Sequence, residues 1–209
     1  VQITLNNTLT YYGALSHYGE DIPLACVGVI SKVNILMLGF TLGISQGCQP
    51  IFSYNYGARQ YSRVREAYRK AIVAASIICC IAFVCFQLFP RPIVALFDPS
   101  GSEEYFQFAE RYFRIYMFMT LANAFQPITA NFFTSIGKAK RGALIALTRQ
   151  VIFLIPLILI FPLFLGIDGV MYAGPIADSA AVVVALALVT REMKRMPHVD
   201  EPVAADTLV

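Results

Sequence analysis

The chain has 209 residues, 57% of them hydrophobic and 14% charged, with a net charge of +3 and a mean hydropathy of +0.63. Soluble domains carry about a quarter charged residues, so this composition excludes an ordinary water-soluble globule and points to the lipid bilayer as solvent. The small positive balance, shared among several connections, also excludes the concentrated basic surface of a nucleic-acid-binding protein.

A membrane span needs about 20 apolar residues, and the chain has room for about five or six. Residues 1–18 are the most polar stretch. They do not start with Met and lack the basic start and apolar middle of a signal peptide, so they read as the tail of a helix whose beginning is missing. Helices are then predicted at about 22–50, 66–90, 104–136, 140–165 and 168–194. The cleanest span runs from Ala71 to Pro90, where only Ser76 and Gln87 are strongly polar. The fold class is therefore an all-α integral membrane protein, and the tail 197–209 is expected to be disordered and cytoplasmic.

Charge sets the threading. After the second helix come Arg59, Arg63, Arg65, Arg69 and Lys70; after the fourth, Lys138, Lys140 and Arg141; after the last, Arg191, Lys194 and Arg195. The other connections carry Glu20 and Asp21, then Asp98, Glu103 and Glu104, then Asp168, with Arg91 the one dissenter. Basic connections stay on the cytoplasmic side, so the two groups lie on opposite sides of the membrane.

Within the second helix, Gly39, Gly43 and Gly47 recur at every fourth position, a small-residue stripe of the kind that lets another backbone approach closely. Pro50 removes a backbone donor and predicts a kink or helix end, with Gln46, Gln49 and Asn55 available to the freed groups. Ionisable residues inside spans are costly unless paired or wet. Lys32 lies about 15 Å from the outer end of its helix, Asp178 at similar depth, and Arg149 about 10 Å from the inner edge. Asp178 is expected either to pair with Lys32 or Arg149 or to meet substrate or a coupled proton. Near the outer surface, Glu110 and Arg114 have the i,i+4 spacing of a helix pair.

The stretch "GISQGCQPIFSYNYGARQYSRVREAYRKA", with Gln49-Pro50-Ile51 and the Asn55-Tyr56-Gly57-Ala58-Arg59 element, resembles the second-to-third helix junction in the C-terminal lobe of MATE (multidrug and toxic compound extrusion) transporters. "VALFDPS", "FFTSIGKAKRGALIALTRQVIFLIPLILI" and "GIDGVMYAGPIADS" extend the likeness over nearly the whole chain and favour the MepA-like branch. The resemblance implies one six-helix transmembrane bundle, helices seven to twelve of a twelve-helix fold, with the first helix truncated and the N-terminal six-helix lobe missing. It further implies a multi-pass protein of the bacterial cytoplasmic membrane and a secondary active antiporter. Such an antiporter works by alternating access and expels amphipathic or cationic small molecules against an H+ or Na+ gradient.

Some members place acids on helices seven and ten to bind Na+; here the matching neighbourhoods offer Asn6, Asn7, Asn123 and Gln126. Neutral amides hold a cation more weakly, so H+ coupling through the other lobe is at least as well supported. Candidate pathway residues are Lys32, Asn34, Asn123, Gln126, Asn131, Arg149, Gln150 and Asp178, with interhelical hydrogen bonding as the competing role for the amides. The alternative function is a lipid-linked oligosaccharide flippase of the same superfamily, which wants more cavity cations than Lys32 and Arg149. An enzyme is not expected. His17 and His198 are far apart in the threading, and no P-loop or GxGxxG occurs. Cys26, Cys48, Cys79, Cys80 and Cys85 fall in apolar spans as buried thiols without CxxC pairs. No cofactor or metal is expected.

Overall fold

A computed structural model describes residues 2–16, 18, 19, 21–99, 101–197 and 200, the side chain of Asn123 excepted. His17, Glu20, His198 and, apart from Pro197 and Asp200, the tail at 197–209 lie outside the described residues. The described chain is helical: α1 (Gln2–Ala14), α2 (Asp21–Gly57), α3 (Tyr61–Leu88), α4 (Pro90–Phe97), α5 (Glu103–Tyr116), α6 (Ala122–Ser135), α7 (Ala139–Leu147), α8 (Ile155–Leu165) and α9 (Ile167–Arg195). A 3-10 turn at Met117–Met119 joins α5 to α6, and a π-helical segment at Thr148–Leu154 joins α7 to α8.

Among the described residues, four stretches are long and apolar enough to cross a membrane: Asp21–Gly57, Tyr61–Leu88, Ala139–Leu165 and Ile167–Arg195. The chain is a multi-pass membrane protein. At 1.5 Å per residue α1 reaches only about 20 Å, short of a hydrocarbon core of about 30 Å. The helix expected at 104–136 is broken. Thr120 Oγ1 donates to the Met117 carbonyl at 2.6 Å, offering the backbone a side-chain partner where the helix would otherwise continue. Its first half, α5, is amphipathic, with Tyr105, Phe108, Ala109 and Tyr112 buried and Glu104, Gln107, Arg111 and Arg114 exposed.

The core centres on α6, which packs on α2, α3, α7 and α9. Ala124, Ile128, Thr129, Phe132 and Phe133 of α6 are fully buried, and Phe132 meets Phe52 edge-on with ring centroids 5.4 Å apart. Tyr68 of α3 and Thr129 share a hydrogen bond of 2.7 Å across the same junction.

Each end of the bundle is tied by its own charges. Glu192, buried near the end of α9, accepts from Lys138 and Arg141 at the start of α7. Nearby, Arg65 Nη2 donates to the Pro197 carbonyl at 3.1 Å, and the Ser62 amide donates to Asp200 Oδ1 at 2.8 Å. These contacts join the three basic connections at one end. At the other end Arg91 pairs with Glu103 at 2.5 Å and Arg111 with Asp168 at 3.2 Å. The Arg91 guanidinium holds the Glu103 carboxyl below the usual range. Arg91, the cation among acids in that connection, is thus a counter-ion at that end. Glu110 turns to Arg91 at 3.8 Å, so the expected Glu110–Arg114 pair does not form.

Two features of α2 differ from the sequence-based expectation. The helix runs through Pro50 to Gly57, and Asn55 Nδ2 donates to the Ile51 carbonyl at 2.8 Å inside its own helix. The stop comes later, in a reverse turn where the Gln60 amide donates to the Asn55 carbonyl and the Arg59 amide to the Tyr56 carbonyl. Arg59 occupies the left-handed position of that turn, φ 56°, where glycine is usual; Gly137 fills the same role after α6, at φ 77°.

Among the described residues of this chain, Gly39, Gly43 and Gly47 form no close approach. They are exposed, and a Cβ added at any of them meets nothing within 4 Å. Among the described residues, the glycines set against backbone are Gly142, whose added Cβ would stand 2.7 Å from the Ala130 carbonyl oxygen, and Gly169, 2.6 Å from that of Phe161. Spacing locates a stripe but not the side it faces. Gly169→Leu is expected to destabilise the protein at the upper end of the roughly 1–3 kcal/mol typical of overpacking, because backbone cannot move aside. Melting in detergent should fall clearly further for Gly169→Leu than for Gly43→Leu; equal shifts would contradict the packing. Cys80 and Cys85 also lie on the exposed face of α3 rather than buried with Cys26 and Cys79.

Candidate functional site

The polar residues of the spans gather around the π-helical segment. Pro156, just beyond it, cannot donate to the carbonyl four residues back, and its ring crowds that carbonyl. Thr148, at its start, donates its hydroxyl back to the Leu144 carbonyl, a bond that bends helices. The widened turns place Arg149 and Gln150 on the inner wall, and π-bulges are frequent at functional sites.

Two adjoining cavities, each about 310 Å³, share Leu38, Arg149 and Gln150. The first is also lined by Gln2 and Leu5 of α1, Ser31 and Asn34 of α2, Tyr116, and Val170 and Gly174 of α9, among others. The second is completed by Leu42 of α2, Gln126, Pro127, Ala130 and Asn131 of α6, and Ala146 of α7. Gly174 packs closely here: an added Cβ would meet the Tyr116 ring at 2.7 Å.

Arg149 Nε donates to Asp178 Oδ1, and both side chains are largely shielded, 14% and 8% exposed. The pair shows which of the two cations Asp178 meets. Asp178 pairs with Arg149, whereas Lys32 is exposed and lines neither cavity. Depth along a helix axis says nothing about azimuth, and Lys32 sits between buried Ile30 and Val33 on the opposite side of its turn.

The amides are used as well as displayed. Gln126 Nε2 donates to the Ile145 carbonyl at 3.2 Å, just before the π segment. Asn131 Nδ2 donates to Ser45 Oγ at 2.7 Å, and Ser45 Oγ donates to the Pro127 carbonyl at 3.2 Å. Asn34, Gln126, Asn131, Arg149 and Gln150 are thus brought to one cavity system, with Asp178 behind Arg149. Asn6 accepts from Gln2 at 3.3 Å within α1 and lies outside the lining. No one-dimensional signal singles out Tyr116 or Ser31. A tyrosine among the aromatic residues of α5 reads as core, and a lone serine in an apolar helix reads as neutral filler.

A helical membrane bundle with a charged pair and several amides along two adjoining open cavities defines a class: a polytopic membrane protein with a polar site within its span. Residues 7–160 match the family described as MatE, and the chain belongs to that family. It is 22% identical over 175 residues to the multidrug export protein MepA of Staphylococcus aureus, covering 84% of this chain and 38% of that protein. A solved structure of the MATE multidrug transporter DinF-BH in complex with rhodamine 6G is 33% identical, with a TM-score of 0.74, over 84% of this chain and 39% of that one. An outward-facing multidrug resistance MATE family transporter of the MOP superfamily matches in fold with a TM-score of 0.83 at 19% identity, over 93% of this chain and 42% of that one. The chain spans about 38% of the length of the curated relatives it matches.

Proposed function

We propose that this chain is the C-terminal six-helix lobe of a secondary active multidrug exporter in a bacterial cytoplasmic membrane, not an enzyme. In this reading it works against an N-terminal six-helix lobe by alternating access. The cargo is amphipathic small molecules, cations among them, and the drive is an H+ or Na+ gradient. The observation that carries the reading is the pair of adjoining cavities around Arg149 and Gln150, inside a bundle of the MatE family. Repeat-built transporters place their site near the midplane between lobes and rock one lobe against the other around it. The rhodamine complex of DinF-BH supports an aromatic, amphipathic cargo. A flippase for a lipid-linked pyrophosphate draws less support, because among the described residues Arg149 is a single cavity cation set against two phosphates.

The test is transport of rhodamine 6G by the full-length protein in everted vesicles. Dye accumulation should require an imposed gradient and cease when that gradient is collapsed, by a protonophore for H+ coupling or a sodium ionophore for Na+ coupling. Accumulation indifferent to both would contradict secondary active export.

A further inference from the structure

Resting on the exporter reading, we propose that the cavity wall around Arg149 is a subsite for an oxyanion, the carboxylate, sulfonate or phosphate end of an amphipathic substrate. Among the described residues, Arg149 is the one charged residue lining the two cavities, and no carboxylate lines either. The contact with Asp178 uses Nε. A guanidinium has five N–H donors in a planar fork, so the two Nη groups retain donors for a second partner. Asp178 therefore holds the arginine in place without filling it.

The surrounding groups have the same sense. The side chains of Gln150, Tyr116 and Ser31 line the first cavity, and none is hydrogen-bonded to another described residue. Each can donate. An oxyanion there would gain charge-assisted bonds from Arg149, whose side chain is only 14% exposed, and neutral bonds from its neighbours. A cationic group at the same spot would meet the arginine with like charge, so the positive end of a zwitterion must point away from this wall.

The experiment is equilibrium binding to the purified full-length protein of two dyes with the same ring system, cationic rhodamine 6G and the sulfonate-bearing sulforhodamine B. The readout is the ratio of their affinities. Removing both charges of the pair, Arg149→Met with Asp178→Asn, should lower the sulforhodamine preference about tenfold or more, the loss expected for a charge-assisted bond. Asp178→Asn alone leaves the guanidinium charged and should preserve or raise the preference. Gln150→Leu, which leaves the ion pair untouched, should lower it roughly threefold through one neutral donor.

Displacement of sulforhodamine B by phosphatidylglycerol but not phosphatidylcholine would assign the oxyanion to a lipid headgroup; no displacement by either would assign it to a small amphipath. Absence of saturable sulforhodamine binding to the wild-type protein would overturn the proposal. So would a preference unchanged in both the double variant and Gln150→Leu. The ratio needs no gradient, so its failure is distinct from a failure of driven efflux, which counts against the exporter reading alone.

Discussion

Arg149→Met should be among the most damaging single substitutions in the bundle, lowering stability by about 3–5 kcal/mol, the cost of leaving one member of a buried ion pair alone. Asp178 is the more enclosed partner, and without Arg149 its carboxylate has no cation within reach and little water. Asp178→Asn should cost less, about 1–3 kcal/mol, because the freed guanidinium faces a cavity rather than packed side chains. The double variant Arg149→Met with Asp178→Asn should recover most of the loss, since no charge remains uncompensated. Lys32→Met should not rescue Asp178→Asn, because Lys32 is exposed and has no part in the pair. Thermal melting of the four full-length variants in detergent checks this; additive losses in the double variant would contradict it.

The second large effect is expected at the basic end. Glu192 lies in the last turns of α9, where the helix dipole disfavours an acid, and its side chain is only 2% exposed. Lys138 and Arg141, 35% and 37% exposed, compensate it from the neighbouring helix. The exposures make the interaction asymmetric. Removing both cations strands a buried carboxylate and should cost about 3–5 kcal/mol. Glu192→Gln frees two cations that can turn to water and should cost about 1–3 kcal/mol. Urea or thermal unfolding in detergent distinguishes the two, and a larger loss for Glu192→Gln than for Lys138→Met with Arg141→Met would contradict the arrangement.

The parts of this fold that follow from one-dimensional pattern were legible in the sequence. The long spans show as runs of apolar residues, and the alternation of basic and acidic connections reappears as ion pairs confined to one end or the other. What could not be read is whatever depends on azimuth or on local competition for backbone groups. The spacing of Gly39, Gly43 and Gly47 is real, yet the stripe faces outward, while Gly142 and Gly169, which have no periodic signature, are the ones against backbone. The break between α5 and α6 falls at a 3-10 turn where the Thr120 hydroxyl bonds the Met117 carbonyl, a local contact with no periodic signature. Glu192 is a single acid among Arg191, Lys194 and Arg195, and net charge conceals it. For the site, depth within a span nominated Lys32, Arg149 and Asp178 alike, while Gln126 came from the family resemblance rather than from depth. The choice of Arg149 over Lys32 needed the azimuth of each side chain, which depth along the helix does not carry.

The cavity around Arg149 is where cargo and protein meet in this reading, and chemical modification tests it most directly. In a cysteine-free full-length protein, Gln150→Cys should react with a small polar thiol reagent, lose gradient-driven rhodamine 6G efflux on reaction, and be protected when the dye is present. Lys32→Cys, outside both cavities, should react without dye protection. Modification of the Gln150→Cys thiol that leaves efflux intact, or that the dye does not slow, would show that cargo does not pass this wall.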